Sequence, residues 1–165
     1  MSCRGMYIYS LLKIKIMAVL NPYLNFAGNT EEAFNFYRSV FGGEFIMLQR
    51  FSQTPDAEKI PEKDRNMIMH ISLRIGKEGS SMNNILMGTD APESMGFHLT
   101  QGNNFYLCLS PGSEEEAKEL FEKLSEGGNI SMPLQQMFWG ALYGDFTDKF
   151  GIKWMVNYMK EFAAH

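Results

Sequence analysis

The chain has 165 residues, of which 45% are apolar and 21% charged, and a net charge of −4. This describes one ordinary folded domain, or two small modules sharing a core, and excludes a disordered chain. The mild acidity, with no Lys/Arg stripe at helical spacing, leaves no electrostatic footprint for nucleic acid.

The opening stretch "MSCRGMYIYSLLKIKI" (1–16) has a short apolar run but no small-x-small cleavage site, and it is too short to span a bilayer. Met17 begins "MAVLNPYLNF", so residues 1–16 read as an N-terminal extension or cloning remnant. An added edge strand from Ile8 is the alternative. The folded domain is expected over 17–160, with 161–165 as a tail. Cys3 and Cys108 make no CxxC pair and no metal spacing, which suits a reducing cytoplasm. Cys108 lies in an apolar run and reads as a small buried residue.

In chain order, "VLNPYLNF" has the composition of a strand, and "NTEEAFNFYRSVF" that of a helix. Asn29-x-x-Glu32 is a helix-start signal, and Ala33, Phe36, Tyr37 and Val40 fall on one face. Gly42-Gly43 stops it, and strand-like "EFIMLQRF", "MIMHISLRI" and "NNILMG" follow. The pattern then starts again. Strand-like "NNFYLCLS" leads to Ser113-x-x-Glu116, an apolar face of Ala117, Leu120, Phe121 and Leu124, and Gly127-Gly128. "NISMPLQQM", "WGALYGDF" and "IKWMVNYM" complete it. The offset is 84 residues, from Asn29 to Ser113.

That is β-α-β-β-β twice, about 17–95 and about 100–160. Each helix covers one side of a short sheet and leaves the other side needing a partner. The expected class is therefore α+β, with two βαβββ modules forming a partly closed cup-shaped sheet with helices outside.

"LNPYLNFAGNTEEAFNFYRSVFGGE", the His-x-Ser-Leu of "MHISLRI", "ILMGTD", "GNNFYLCL" and above all "FWGALYGDFTDKFGIKWMVN" resemble the PhnB-like branch of the vicinal oxygen chelate superfamily. That superfamily includes glyoxalase I, extradiol dioxygenases, fosfomycin-modifying enzymes and bleomycin-resistance proteins. The resemblance covers about Met17 to Lys160. It implies homodimers with a site inside each cup, and in the metalloenzymes a divalent ion held by His, Glu or Gln from both modules. A methyltransferase label attached to some PhnB-like proteins finds no support, because no Gly-rich strand-turn-helix suited to S-adenosylmethionine is present.

Carried over position by position, the family's ligands fall on Asn21, on Leu86 or Met87, on Asn104 and on Met155, the last fixed by the Asp148-x-x-Gly151 turn. Two carboxamides and two apolar side chains make a poor cage for a hard ion. The expectation is no metal and no cofactor. The cup would instead bind a small, partly apolar or aromatic molecule, lined by Tyr23, Asn25, His70, Met87, Asn104, Tyr106, Trp139 and Met155. The alternative is a lyase, isomerase or dioxygenase holding one divalent metal ion unconventionally through His70 and nearby oxygens. The third is a structural or partner-binding dimer. No membrane association is implied.

Several residues carry two readings. His70 is either a hydrogen-bonded structural histidine or an acid, base or ligand anchor. Asp90 either caps a turn or orients a ligand at the mouth, and Asp145 and Asp148 read as hairpin-shaping residues. His98 falls in a polar loop and is expected in solvent. Phe138, Trp139 and Tyr143 form an aromatic cluster suited to core, dimer contact or stacking on a flat ligand. The charged, Pro-interrupted "SQTPDAEKIPEKDRN" (52–66) is a lid or a mobile insertion.

Overall fold

The computed structural model describes residues 19–76 and 84–160. The extension at 1–16 and the tail at 161–165 lie outside the described residues. The first module comprises β1 (Tyr23–Phe26), α1 (Thr30–Phe41), β2 (Phe45–Arg50), β3 (Ile68–Ile75) and β4 (Asn84–Asp90). The second comprises β5 (Leu107–Leu109), α2 (Glu114–Ser125), β6 (Asn129–Gln136), β7 (Leu142–Thr147) and β8 (Lys153–Tyr158). Their strand orders are β1-β4-β3-β2 and β5-β8-β7-β6, each with one parallel pair at the first strand and antiparallel pairs after it. The duplication and the α+β class are as the sequence predicts. Each module is a four-stranded sheet with its helix on one face and an open face opposite, and neither closes into a barrel.

The helix starts differ. Ser113 accepts from the Glu116 N–H at 3.1 Å, and the Glu116 carboxylate accepts from the Gly112 N–H at 2.8 Å. Asn29 makes no such side-chain bond. Its role passes to Asp90 at the end of β4, whose Oδ1 accepts from the Thr30 hydroxyl (2.6 Å), the Thr30 N–H (3.0 Å) and the Gly28 N–H (3.1 Å). Oδ2 takes the Ile68 N–H at 2.7 Å. Asp90 thus caps α1 from a distant strand, and its hydrogen bonds go to the scaffold. At the helix ends, a Cβ on Gly43 would strike the Arg74 carbonyl, and one on Gly128 the Thr147 carbonyl. The paired glycines therefore serve close approach to the sheet as well as chain reversal.

The core is single. Helix-side residues of both sheets, with α1 and α2, bury into one cluster that includes Leu24, Phe34, Tyr37, Phe121, Phe146 and Trp154. The α1 face differs from the predicted one. Phe34 is fully buried, under Gly88, while Phe36 and Val40 are only half-buried. The reason is that α1 is packed on two sides. Phe34 works against its own sheet, whereas Tyr37 and Phe41 stack on Trp154 of β8, and Phe36 on Phe150.

Asp148 fastens that contact. Its Oδ1 accepts from the Phe150 and Ile152 N–H groups (2.9 and 3.0 Å), which closes the turn before β8. Its Oδ2 accepts from the Tyr37 hydroxyl (2.7 Å) and Trp154 Nε1 (2.8 Å). Burial, and then the Asp148 charge and hydrogen bond, hold the Tyr37 phenol far above its ordinary value of 10.0. The folded protein keeps this proton at a pH where the unfolded chain has lost it. The stabilisation is complete below pH ~10 and drains away as pH rises above it, at about 1.4 kcal/mol per pH unit. Urea titrations from pH 9 upward are expected to show wild type losing stability more steeply than Tyr37→Phe. Equal slopes would contradict this account.

The 52–66 segment, whose role the sequence leaves open, has local structure of its own. It winds through short 3-10 turns at Phe51–Gln53, Ala57–Lys59 and Glu62–Asp64. Buried Phe51, Ile60 and Asp64 anchor it, with Asp64 accepting from the Ser94 hydroxyl.

Candidate functional site

Strand alternation decides what each sheet shows on its free side. In β8, Trp154 and Val156 are buried toward the helices, and Lys153, Met155 and Asn157 point the other way. In β4, Leu86 is buried among the helices and Met87 faces outward, so the ambiguity between them resolves to Met87. Directly opposed residues in a ladder share a face. One row on the open face of the first sheet therefore reads Tyr23, Met87, Ser72, Met47. The matching row of the second sheet reads Cys108, Met155, Asp145, Met132. The repeat thus superposes Met87 on Met155 and Met47 on Met132.

Four of the sequence-predicted lining residues come together on the first sheet. Tyr23 and Met87 are cross-strand partners, Asn25 pairs with Thr89, and His70 lies beyond them on β3. The Tyr23 hydroxyl and His70 Nδ1 are 3.2 Å apart, with ring centroids at 5.7 Å. His70 is thus both a hydrogen-bonded residue and part of the open face. Burial pushes the Tyr23 phenol up, which keeps it a neutral donor.

On the second sheet, Tyr106 sits at the entry to β5, with the Lys153 ammonium 5.7 Å from its ring centre, and Met155 is central. Asn104 precedes the strand in an exposed bend and is not a strand residue, so the register that placed a ligand there does not apply. Trp139 is in the turn between β6 and β7, 46% exposed, stacked edge-on against Tyr143 and against a nearly bare Phe138. His98 is exposed, as expected.

Two residues were misread from sequence. Cys108 is exposed on the open face, opposite Met155, because its strand is covered on one side only. Desolvation among its neighbours raises its thiol pKa, which makes it a poor nucleophile at neutral pH. Asp145 does not flank a hairpin. It lies in the body of β7, between Met132 and Met155, and accepts from the Tyr143 hydroxyl at 3.2 Å. The alternation of "LYGDFT" against the buried Phe146 was the available signal.

Within one chain the two groups of residues do not meet. Helix-side faces share the core, so both open faces turn away from it, and no hydrogen bond or ring contact among the described residues joins them. A cleft of about 490 Å³ at the Asp148 turn, lined by Asn29, Gln101, Asn129 and Lys149 among others, contains none of the eight residues.

The donor chemistry at the family's ligand positions does not suit a divalent ion. Met87 and Met155 offer thioethers, weak ligands for hard ions, and Asn21 and Asn104 lie outside the strands that would fix them. Among the described residues, no cluster of His, Cys, Asp and Glu substitutes for them. No described helix is long and apolar enough to cross a membrane.

Comparison with known proteins agrees with this architecture. The chain is 33% identical over 150 residues to protein YjdN of Escherichia coli K12, covering 86% of this chain and 96% of YjdN. The crystal structure of protein PA1353 from Pseudomonas aeruginosa superposes with a TM-score of 0.71 at 36% identity, over 85% of this chain and 96% of that one. A PhnB protein from Bacillus cereus, described as a putative 3-demethylubiquinone-9 3-methyltransferase, superposes at 0.67 with 26% identity, over 84% and 98%. Residues 19–156 match the family model itself, and with the paired βαβββ modules this makes the chain a PhnB-like member of the Glyoxalase/Bleomycin resistance protein/Dioxygenase superfamily.

Proposed function

We propose that this protein binds a small, flat, partly apolar or aromatic molecule without a divalent metal, in a cup built by two copies of the chain. The first sheet of one copy and the second sheet of the other would supply the walls, so a homodimer would hold two sites. Tyr23, Asn25, His70 and Met87 line one wall, and Asn104, Tyr106, Trp139 and Met155 the other. A reducing cytoplasm suits the free thiol of Cys108.

One observation carries this reading: the repeat places thioethers at equivalent points of both open faces, Met87 and Met155, the positions to which the resemblance carries the family's metal-binding carboxylates. Thioethers are polarizable and adaptable and pack well against aromatic rings. Met47 and Met132 extend the same surface to β2 and β6. Tyr23 and Met47, nearly half exposed on the open face, leave apolar surface for a second copy to cover.

The test is thermal unfolding with acridone and a panel of aromatic metabolites, before and after dialysis against EDTA. At a hundredfold excess over Kd, a binder stabilises by about 2.7 kcal/mol. For a domain of this size that raises the Tm by roughly 5–10 °C, and the rise is expected to be the same with EDTA. A rise that disappears with EDTA and returns with stoichiometric Zn, Ni, Fe or Mn would replace this reading with the metalloenzyme one.

A further inference from the structure

The open face of the second sheet carries a carboxylate at its centre. Asp145 is flanked across the ladder by Met132 and Met155. Its hydrogen bond comes from the Tyr143 hydroxyl at 3.2 Å, and among the described residues no Lys, Arg or His nitrogen lies within 4.0 Å of it. Lys153, the cation on the same face, is a row away, with its ammonium 3.3 Å from the Thr147 hydroxyl and above the Tyr106 ring. An ionised carboxylate can accept about four hydrogen bonds, and the described side chains supply Asp145 with one. The Asp145 charge and hydrogen bond, after burial, raise the Tyr143 phenol pKa, which keeps that group a neutral donor.

Covering this face with a second copy removes Asp145 from water, and a buried carboxylate is retained only where a cation or several donors meet it. The opposite wall does not supply one at the matching place. The residue of the first sheet that corresponds to Asp145 in the repeat is Ser72, which is neutral. His70 of that wall has its Nδ1 engaged by Tyr23, and Arg74 lies toward the other end of β3, opposite Ile85.

We infer that the cup selects ligands carrying a protonated nitrogen, which pairs with Asp145 while the apolar or aromatic body rests on Met132, Met155 and Tyr143. This rests on the two-copy cup proposed above and names the class of molecule it takes. Sulfur and aromatic side chains around a carboxylate suit a cationic aromatic amine, since each favours either the ring or the charge.

Three tricyclic probes of similar shape test it by fluorescence titration of the full chain: cationic proflavine, neutral acridone and anionic acridine-9-carboxylate. Wild type is expected to bind proflavine at least about tenfold more tightly than the other two. Asp145→Asn, close to isosteric, should weaken proflavine about tenfold, leave acridone within about twofold, and keep the Tm nearly unchanged. Raising salt should weaken proflavine alone. If the three probes bind equally, or Asp145→Asn weakens all of them alike, the charge selection is wrong while the cup stands. Tight proflavine binding untouched by Asp145→Asn removes Asp145 from the site. If none of the three binds, the cup and the inference fall together.

Discussion

Asp148→Ala is expected to lower the unfolding free energy by about 4 kcal/mol, a large share of the ~5–15 kcal/mol that holds a domain together. The substitution deletes one acceptor but strands four donors: the Tyr37 hydroxyl, the Trp154 indole N–H and the Phe150 and Ile152 N–H groups. Each buried donor left without a partner costs roughly 1–3 kcal/mol, less where water can enter the space. Asp148→Asn should recover part of the loss, because its amide oxygen still accepts from the Phe150 and Ile152 N–H groups while its nitrogen faces the Trp154 N–H, which also donates. The side chain is only 3% exposed, so solvent offers little relief. Urea unfolding followed by Trp154 fluorescence measures the loss. A change below about 1 kcal/mol would mean that the modules are held by ring packing alone, through Tyr37, Phe41 and Phe150 on their partners.

Mixing two binding-deficient chains is expected to restore binding. Met87→Arg puts a long charged chain on the first sheet's open face, beside Tyr23 and Ser72, and Met155→Arg does so on the second, beside Cys108 and Asp145, so each replaces the ring-packing thioether and fills its wall. Either variant alone should bind acridone at least about tenfold more weakly than wild type. When the two are unfolded together and refolded at equal concentration, random pairing makes about half of the dimers mixed. In a mixed dimer, one cup inherits both arginines and the other inherits neither. About one quarter of all cups should then bind as wild type does. Differently tagged chains show that mixed dimers have formed. If they form and binding stays absent, each cup lies within a single chain, and the two-copy arrangement is wrong.

Both expectations depend on features that sequence could reach only in part. The duplication was legible, since two capped amphipathic stretches ending in paired glycines, each followed by three strand-like runs, specify two βαβββ units. Strand parity was legible as well. Trp154 and Met155 had to point to opposite faces, and the Asp148 turn fixed which of them met the helices. That the positions carried over from the family hold Asn and Met side chains was likewise legible, residue by residue.

What the sequence by itself determined, then, was local: where elements begin and end, and which residues share a face. Only the tertiary structure decided what covers each face. Phe34 is buried more deeply than Phe36 because α1 is pressed between its own sheet and β8. Asn29 leaves the α1 cap to Asp90, sixty-odd residues on, because β4 ends beside that helix. Cys108 is exposed and Asp145 sits between two methionines because the faces they occupy have no cover within the chain. The physical reason is the same throughout. Periodicity follows from the backbone of one element, which its own residues set, whereas burial follows from the neighbour that removes water, and that neighbour is brought in by distant parts of the chain.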